Sequence, residues 1–245
     1  MTKLLIGSPL LEIDHIFVCI KSVPDTALLR HLGLVCSDYS LSHPQQGTAS
    51  NLIFFENSYI ELIWVEDEDM SEIYAMRSGI DFLARSNWEN SSTSPFGIAL
   101  HQKGDGINSD RLGRVVGDHR LNSERLSNHN NTDSFINFAA SNLVNQIEPL
   151  CFVIPELVSF QNLFDPSMET HQRLTNHPLG IKKLTNIRVA IEKSSNFSDP
   201  LSMLEESGMI EIERDSYPAL ELTFDYASNH SLDLQAIGIP IILKY

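Results

Sequence analysis

The hydrophobic residues of this chain fall in short runs with the period of strands, separated by polar punctuation. Residues 11–20, LEIDHIFVCI, are rich in Ile, Val and Phe and predict a strand. Pro24 and Asp25 open a short helix, DTALLRHLGL, that Gly33 stops. A second strand is expected near 34–39, and the stretch 40–50, with its Pro, Gly and small residues, reads as a polar loop. NLIFFE and SYIELIWVE predict two further strands that turn at Asn57 and Ser58. Residues 67–88, entered through the acidic run EDEDMSE, predict an amphipathic helix through Tyr74, Met76, Ile80 and Phe82. Negative charge at its start suits the helix macrodipole. PFGIALH (95–101), FINFAAS (135–141) and PLCFVIPE (149–156) supply more strands. Between them, residues 102–134 lose periodicity and predict an exposed polar insertion with a short helix at 109–117.

A connecting stretch ends in NHPLGIKK, and then LTNIRVAIE (184–192) predicts a strand and DPLSMLEES (199–207) a helix. MIEIER, ALELTFDY and IGIPIILKY follow as strands. The order β-α-β-β-β therefore occurs at both ends of the chain. IDHIFVCI aligns with LTNIRVAI, and SYIELIWV with PALELTFD. Recurrence of a unit of ~50–60 residues signals internal duplication. The expected organisation is a first βαβββ module over 1–66, a second over 67–155 carrying the insertion, a connector over 156–183 and a C-terminal module over 184–245.

Charge narrows the function classes. The 245 residues include 32 Asp and Glu against 17 Lys and Arg, a formal charge of −15. Such a surface repels phosphate backbones and anionic lipid, so neither nucleic acid nor a membrane is an expected partner. No run reaches the ~20 apolar residues of a membrane span, and no signal peptide is visible. Cys19, Cys36 and Cys151 form no CxxC pair. A soluble, cytoplasmic, reduced protein is expected. GxSxG, P-loop and GxGxxG motifs are absent, and Glu66–Asp69 lacks the spacing of a calcium loop.

Strict alternation would put Ile13, His15, Phe17 and Cys19 on one face of the first strand and Asp14, Ile16, Val18 and Ile20 on the other. Tyr59, Glu61, Ile63 and Val65 share a face of a later strand. His15 and Glu61 are thus polar groups embedded in apolar strands. Burying an unpaired carboxylate costs several kcal/mol, so Glu61 needs a partner. That partner is a metal ion, for which imidazole and carboxylate are good ligands, or a structural hydrogen bond, or solvent. His43 sits with Pro44, Gly47 and Thr48 in the polar loop. Gly47 lets backbone approach a ligand closely, and Thr48 offers a donor. His43 fits substrate binding, acid–base work, completion of a metal shell, or a plain surface loop. Phe17, Tyr59 and Phe152 would line an apolar pocket or simply pack a core. His177 reads as structural, and His31, His119, His129, His171 and His230 as surface residues.

Together, LEIDHIFVCI, SHPQQGTASNLIFFENSYIELIWV and NHPLGIKKLTNIRVAI resemble the glyoxalase-like domain family of the vicinal-oxygen-chelate superfamily, which also contains bleomycin-resistance proteins and dioxygenases. The resemblance spans most of 11–190, and HPQQGTASN followed by YIELIWV is its most specific part. It implies an α+β fold in which paired βαβββ modules form a cup-shaped mixed sheet. It also implies a divalent metal (Zn, Fe, Mn or Ni) held by side chains on the first and fourth strands of each module and chelated by substrate oxygens. Carried over by position, the ligands are His15 and Glu61. In a second module over 95–155 the positions fall at Gly97, which cannot ligate, and Cys151, with Ala99 and then His101 further along the same face. With the C-terminal module as partner they fall at Asn186 and Glu221. The implied activity is lyase, isomerase or dioxygenase chemistry on a small molecule, in a monomer or a homodimer. The alternatives are a metal-free sequestering protein of the same fold and an interaction protein working through 102–134.

Overall fold

A computed structural model describes residues 11–102, 137–155, 158–163, 167–191, 197–215, 217–227 and 229–245. The insertion expected at 102–134, with His119 and His129, lies outside them apart from Gln102. The chain opens with β1 (Leu11–Cys19) and α1 (Thr26–His31). Asp25 caps α1 by accepting from the Leu28 N–H, and Gly33 closes the turn at φ +91°. Next come β2 (Leu41–His43), β3 (Thr48–Phe54) and β4 (Tyr59–Val65). The strand expected at 34–39 is not one. Its place is taken by β2, inside the stretch read as loop, where three residues are too few for alternation to show.

The helix expected over 67–88 breaks in two. α2 (Glu68–Ser78) starts on an Asp67 cap and ends where Gly79 turns left-handed, and α3 (Phe82–Ser86) starts on an Asp81 cap. Met76, assigned to the apolar stripe, is 80% exposed. α4 (Trp88–Ser91), β5 (Phe96–Gln102), β6 (Asn137–Phe138), α5 (Ala140–Leu143) and β7 (Leu150–Val153) follow. The connector contains α6 (Phe160–Leu163) and α7 (Glu169–Thr175). The last part comprises β8 (Leu184–Ile191), α8 (Asp199–Glu206), β9 (Glu211–Arg214), β10 (Ala219–Phe224), β11 (Ser231–Asp233) and β12 (Ile241–Lys244).

Seven strands form one curled mixed sheet in the order β2-β3-β4-β1-β5-β7-β6, and five form another in the order β11-β12-β10-β8-β9. The architecture is α+β. In the larger sheet β1 runs parallel to β4, and β5 repeats that relation with β7. The C-terminal sheet is wired differently. There β8 is parallel to β9, directly across α8, and antiparallel to β10. The sequence alignment of SYIELIWV with PALELTFD therefore pairs two strands with different neighbours. Among the described residues no helix is long and apolar enough to cross a membrane.

One core joins the two sheets. It contains Ile16 and Leu62 from the back of the larger sheet, Leu29 of α1, Leu201 of α8, and Leu220 and Leu243 from the inner face of the smaller one. The smaller sheet thus backs the larger one instead of completing its cup. The front of the larger sheet carries separate apolar clusters, one with Phe17, Phe82 and Phe152, the other with Leu52, Phe54 and Phe160. Between them lies a polar cluster that includes His15, whose ring meets Tyr59 on one side and Phe152 on the other.

Candidate functional site

Strands β1 to β5 and one irregularity assemble the site. The β1–β5 register runs Ile13↔Leu100 and then His15↔Ala99, so Asp14 is an extra residue in a β-bulge. The bulge shifts the alternation: Ile13 packs against the back core, while Asp14 is held among polar groups and not, as strict alternation placed it, with Ile16 and Val18. His15 remains on the front. Its Nδ1 donates to Asp14 Oδ1 at 2.7 Å, and Tyr59 stacks on its ring with centroids 4.3 Å apart. The other oxygen, Asp14 Oδ2, accepts from the Phe160 N–H at 2.7 Å.

Glu61 occupies the middle of β4 on the same face. Its Oε2 lies 4.0 Å from His15 Nε2, and its Oε1 lies 3.4 Å from His43 Nε2. His43 comes from β2 and also lies 3.2 Å from Ser50 Oγ. On the far side of Asp14, His101 of β5 places Nδ1 3.2 Å from Asp14 Oδ2 and Nε2 3.7 Å from Glu12 Oε2. Neither nitrogen makes an aligned hydrogen bond, although only 4% of His101 is exposed. Acid and imidazole groups thus alternate across the front face from Glu12 to His43.

Burial alone would raise both carboxyls, and their partners reverse the sign. For Asp14 the His101 and His15 rings and the Phe160 N–H outweigh burial and bring it down to about 2. Glu61 is likewise lowered, because contacts with His43, His15 and Ser50 outweigh its burial. Burial, with Glu61 and Asp14 nearby, pushes the Tyr59 phenol well above its ordinary value, so it stays protonated.

Other expected site residues go elsewhere. Cys151 faces the back core beside Ile98, and burial pushes its thiol up to about 12, so it supplies no thiolate. Glu221 alternates with the buried Leu220 and Leu222 and lies on the opposite face of the C-terminal sheet. There it meets Arg188 at 3.1 Å and Lys244 at 3.6 Å. Asn186, in that same sheet, meets Glu211. Gly97 makes room for the Phe17 ring, since a Cβ there would come within 2.0 Å of it. Gly47 approaches backbone closely, but the backbone is its own chain: a Cβ would meet the Asp67 carbonyl at 2.3 Å. The buried Thr48 hydroxyl lies 3.3 Å from Gln46 Oε1. His171, read as a surface residue, is buried near Phe160. Asp14 and Ser50 escaped the sequence reading. The visible signal for Asp14 was two adjacent polar residues, Asp14 and His15, interrupting an apolar strand.

The implied metal can be tested against these donors. His15 and His43 approach different oxygens of Glu61, at 4.0 and 3.4 Å. Among the described residues no group of three or more His, Cys, Asp or Glu is arranged to hold a metal ion. The described residues do not fit the four-ligand set of the resemblance.

A family model for a glyoxalase-like domain matches residues 13–202, more than three quarters of the chain. The protein belongs to the glyoxalase-like domain family. Its curled mixed sheet is the α+β fold of the vicinal-oxygen-chelate superfamily. No curated protein matches this glyoxalase-like chain. Among solved structures it is similar to a hypothetical protein from Staphylococcus aureus at 15% identity and a TM-score of 0.49, covering 96% of this chain and 98% of that one. It is also similar to a triple mutant of 4-hydroxymandelate synthase from Streptomyces coelicolor, at 12% identity and a TM-score of 0.39. That match covers 95% of the glyoxalase-like chain and 61% of the synthase.

Proposed function

We propose that this protein is a small-molecule enzyme in which Glu61 moves a proton at the carbon next to a carbonyl. The observation that carries the reading is a mid-strand carboxylate on the front of the cup, with imidazole nitrogens at 3.4 and 4.0 Å. Its lowered pKa keeps it ionised at neutral pH, the form a general base needs. A substrate that displaces water from the face would raise its basicity, because burial disfavours the charge. Glu61 would take the α-proton, and the Ser50 hydroxyl and His43 ring would face the oxygen on which charge develops. Return of the proton to a neighbouring carbon gives an isomerase, and loss of a leaving group gives a lyase. The aromatic flanks at Phe17, Tyr59 and Phe152 would hold the apolar part of the substrate.

The resemblance adds a divalent metal as Lewis acid, but the described donors do not assemble a site for one. That same observation favours a second reading, a metal-free protein that sequesters a small molecule unchanged. One experiment separates them. Ketones, 2-oxoacids and 2-oxoaldehydes are incubated in D2O with the parent or with Glu61→Gln, and loss of the α-proton signal is followed by NMR. We expect exchange with the parent, a loss of about 10²-fold or more in Glu61→Gln, and persistence after chelation. Binding with every α-proton retained would overturn the enzyme reading. Exchange lost on chelation and restored by a divalent ion would overturn its metal-free form.

A further inference from the structure

We infer that Asp14 is the positioning residue of the front-face site, fixing the tautomer and ring orientation of His15 and tying both to the connector that walls the site. The inference rests on the reading of this face as the functional site and deepens it.

Three independent features single out Asp14. First, it is the extra residue of the β1–β5 bulge. A regular strand would turn its side chain to the back core with Ile16 and Val18, and the bulge holds its carboxylate beside His15 and His101 instead. Bulges re-aim side chains in this way. Second, Asp14 is 1% exposed, yet among the described residues no Lys or Arg forms an ion pair with it. Its neighbours are His15, His101, and the Phe160 N–H. Third, its two oxygens do different work. Oδ1 takes the hydrogen of His15 Nδ1, and Oδ2 takes that of Phe160.

The consequence for His15 follows from donor counting. An ionised carboxylate only accepts, so at 2.7 Å the proton must sit on Nδ1. A neutral His15 then presents a bare Nε2 towards Glu61, able to accept a proton or a substrate hydroxyl but not to donate. The stacked Tyr59 ring holds the imidazole in that plane. Through Oδ2 the same carboxylate anchors the start of α6. Phe160 there packs at 5.9 Å from Tyr59 and 6.4 Å from Phe54. The orientation of the imidazole and the placing of the connector wall therefore share one side chain.

The test uses the full chain labelled with 15N-histidine, with His15→Gln assigning the resonance. Long-range 1H–15N spectra report which ring nitrogen carries the proton. We expect His15 in the Nδ1–H form in the parent. In Asp14→Asn, whose amide can donate to Nδ1, it should move to the Nε2–H form while the His177 signals stay in place. Asp14→Glu, which keeps the acceptor, should restore Nδ1–H at least in part. A parent His15 in the Nε2–H form, or a tautomer that Asp14→Asn leaves unchanged, would overturn the inference. The parent spectrum decides even where a variant fails to fold. For any substrate with measurable exchange, Asp14→Asn should lower kcat with KM little changed. Absence of exchange in the parent would overturn the proposed reaction and leave the tautomer assignment standing.

Discussion

A carboxylate sealed among apolar strands stays ionised only where hydrogen-bond donors replace its lost water, and the front face does this twice. For Asp14 the donors are the His15 imidazole and the Phe160 N–H, with the His101 ring beside it at 3.2 Å. Its folded-state value near 2 lies below the ordinary 3.8, so its contribution to stability is complete above about pH 5 and lost as pH falls towards 2. Nearly two units correspond to about 2 kcal/mol. Urea unfolding at pH 6 and at pH 2 should show the parent losing about that much more than Asp14→Asn; equal losses would contradict the assignment. His177 shows the opposite arrangement, a buried imidazole kept neutral. Its Nδ1 accepts from the Val35 N–H at 2.9 Å, its Nε2–H donates to the Phe54 carbonyl at 2.7 Å, and burial lowers its pKa. His177→Ala strands both backbone groups and should cost about 2–4 kcal/mol, read from the same unfolding curves. The structural role that the NHPLG context gave this residue agrees with these bonds. No such context marked Asp14, because its role depends on a register shift between strands some 85 residues apart.

The strands of the first module could be read because their apolar alternation is long enough to show, from LEIDHIFVCI to SYIELIWV. What alternation does not report is where it slips or which strand it pairs with. The bulge at Asp14 is a slip. Glu221 is an error of pairing: it sits mid-strand in ALELTF just as Glu61 does in YIELIW, but β10 has β8 as an antiparallel neighbour where β4 has β1 as a parallel one. The helix over 67–88 failed for a local reason, the left-handed turn at Gly79. Gly97 is the most exacting position of the β1–β5 pair, since it lies opposite Phe17 and a Cβ would enter that ring. Gly97→Ala should cost about 1–3 kcal/mol by overpacking. Combined with Phe17→Leu the loss should shrink, and a double-mutant cycle measures the coupling. Strict additivity would show that Gly97 is not there for Phe17.

At the scale of the molecule, the recurrence of two units in the sequence becomes two unequal sheets around a shared core. The larger presents the functional face, and the smaller supports it from behind. A clasp joins them at the β3–β4 turn. There Asn57 Nδ2 donates to the Leu184 carbonyl at 2.8 Å, the Leu184 N–H donates back to Asn57 Oδ1 at 2.9 Å, and Phe55 packs on Phe224. Within the described residues, the imidazole–carboxylate set facing Glu61 comes from the first module alone, with His15 on β1, His43 on β2 and Glu61 on β4. The partner positions implied by the resemblance, Cys151 and Glu221, are instead a core thiol and half of an outer-face ion pair. The central claim is that these three side chains form one electrostatically coupled site. A carbon-13 titration of the Glu61 carboxyl in the parent and in His43→Ala tests it most directly. The parent should titrate below the usual glutamate range, and removal of His43 should move it upwards, since burial then acts with less opposition. A parent Glu61 titrating at or above the ordinary value, or one indifferent to His43→Ala, would contradict the account.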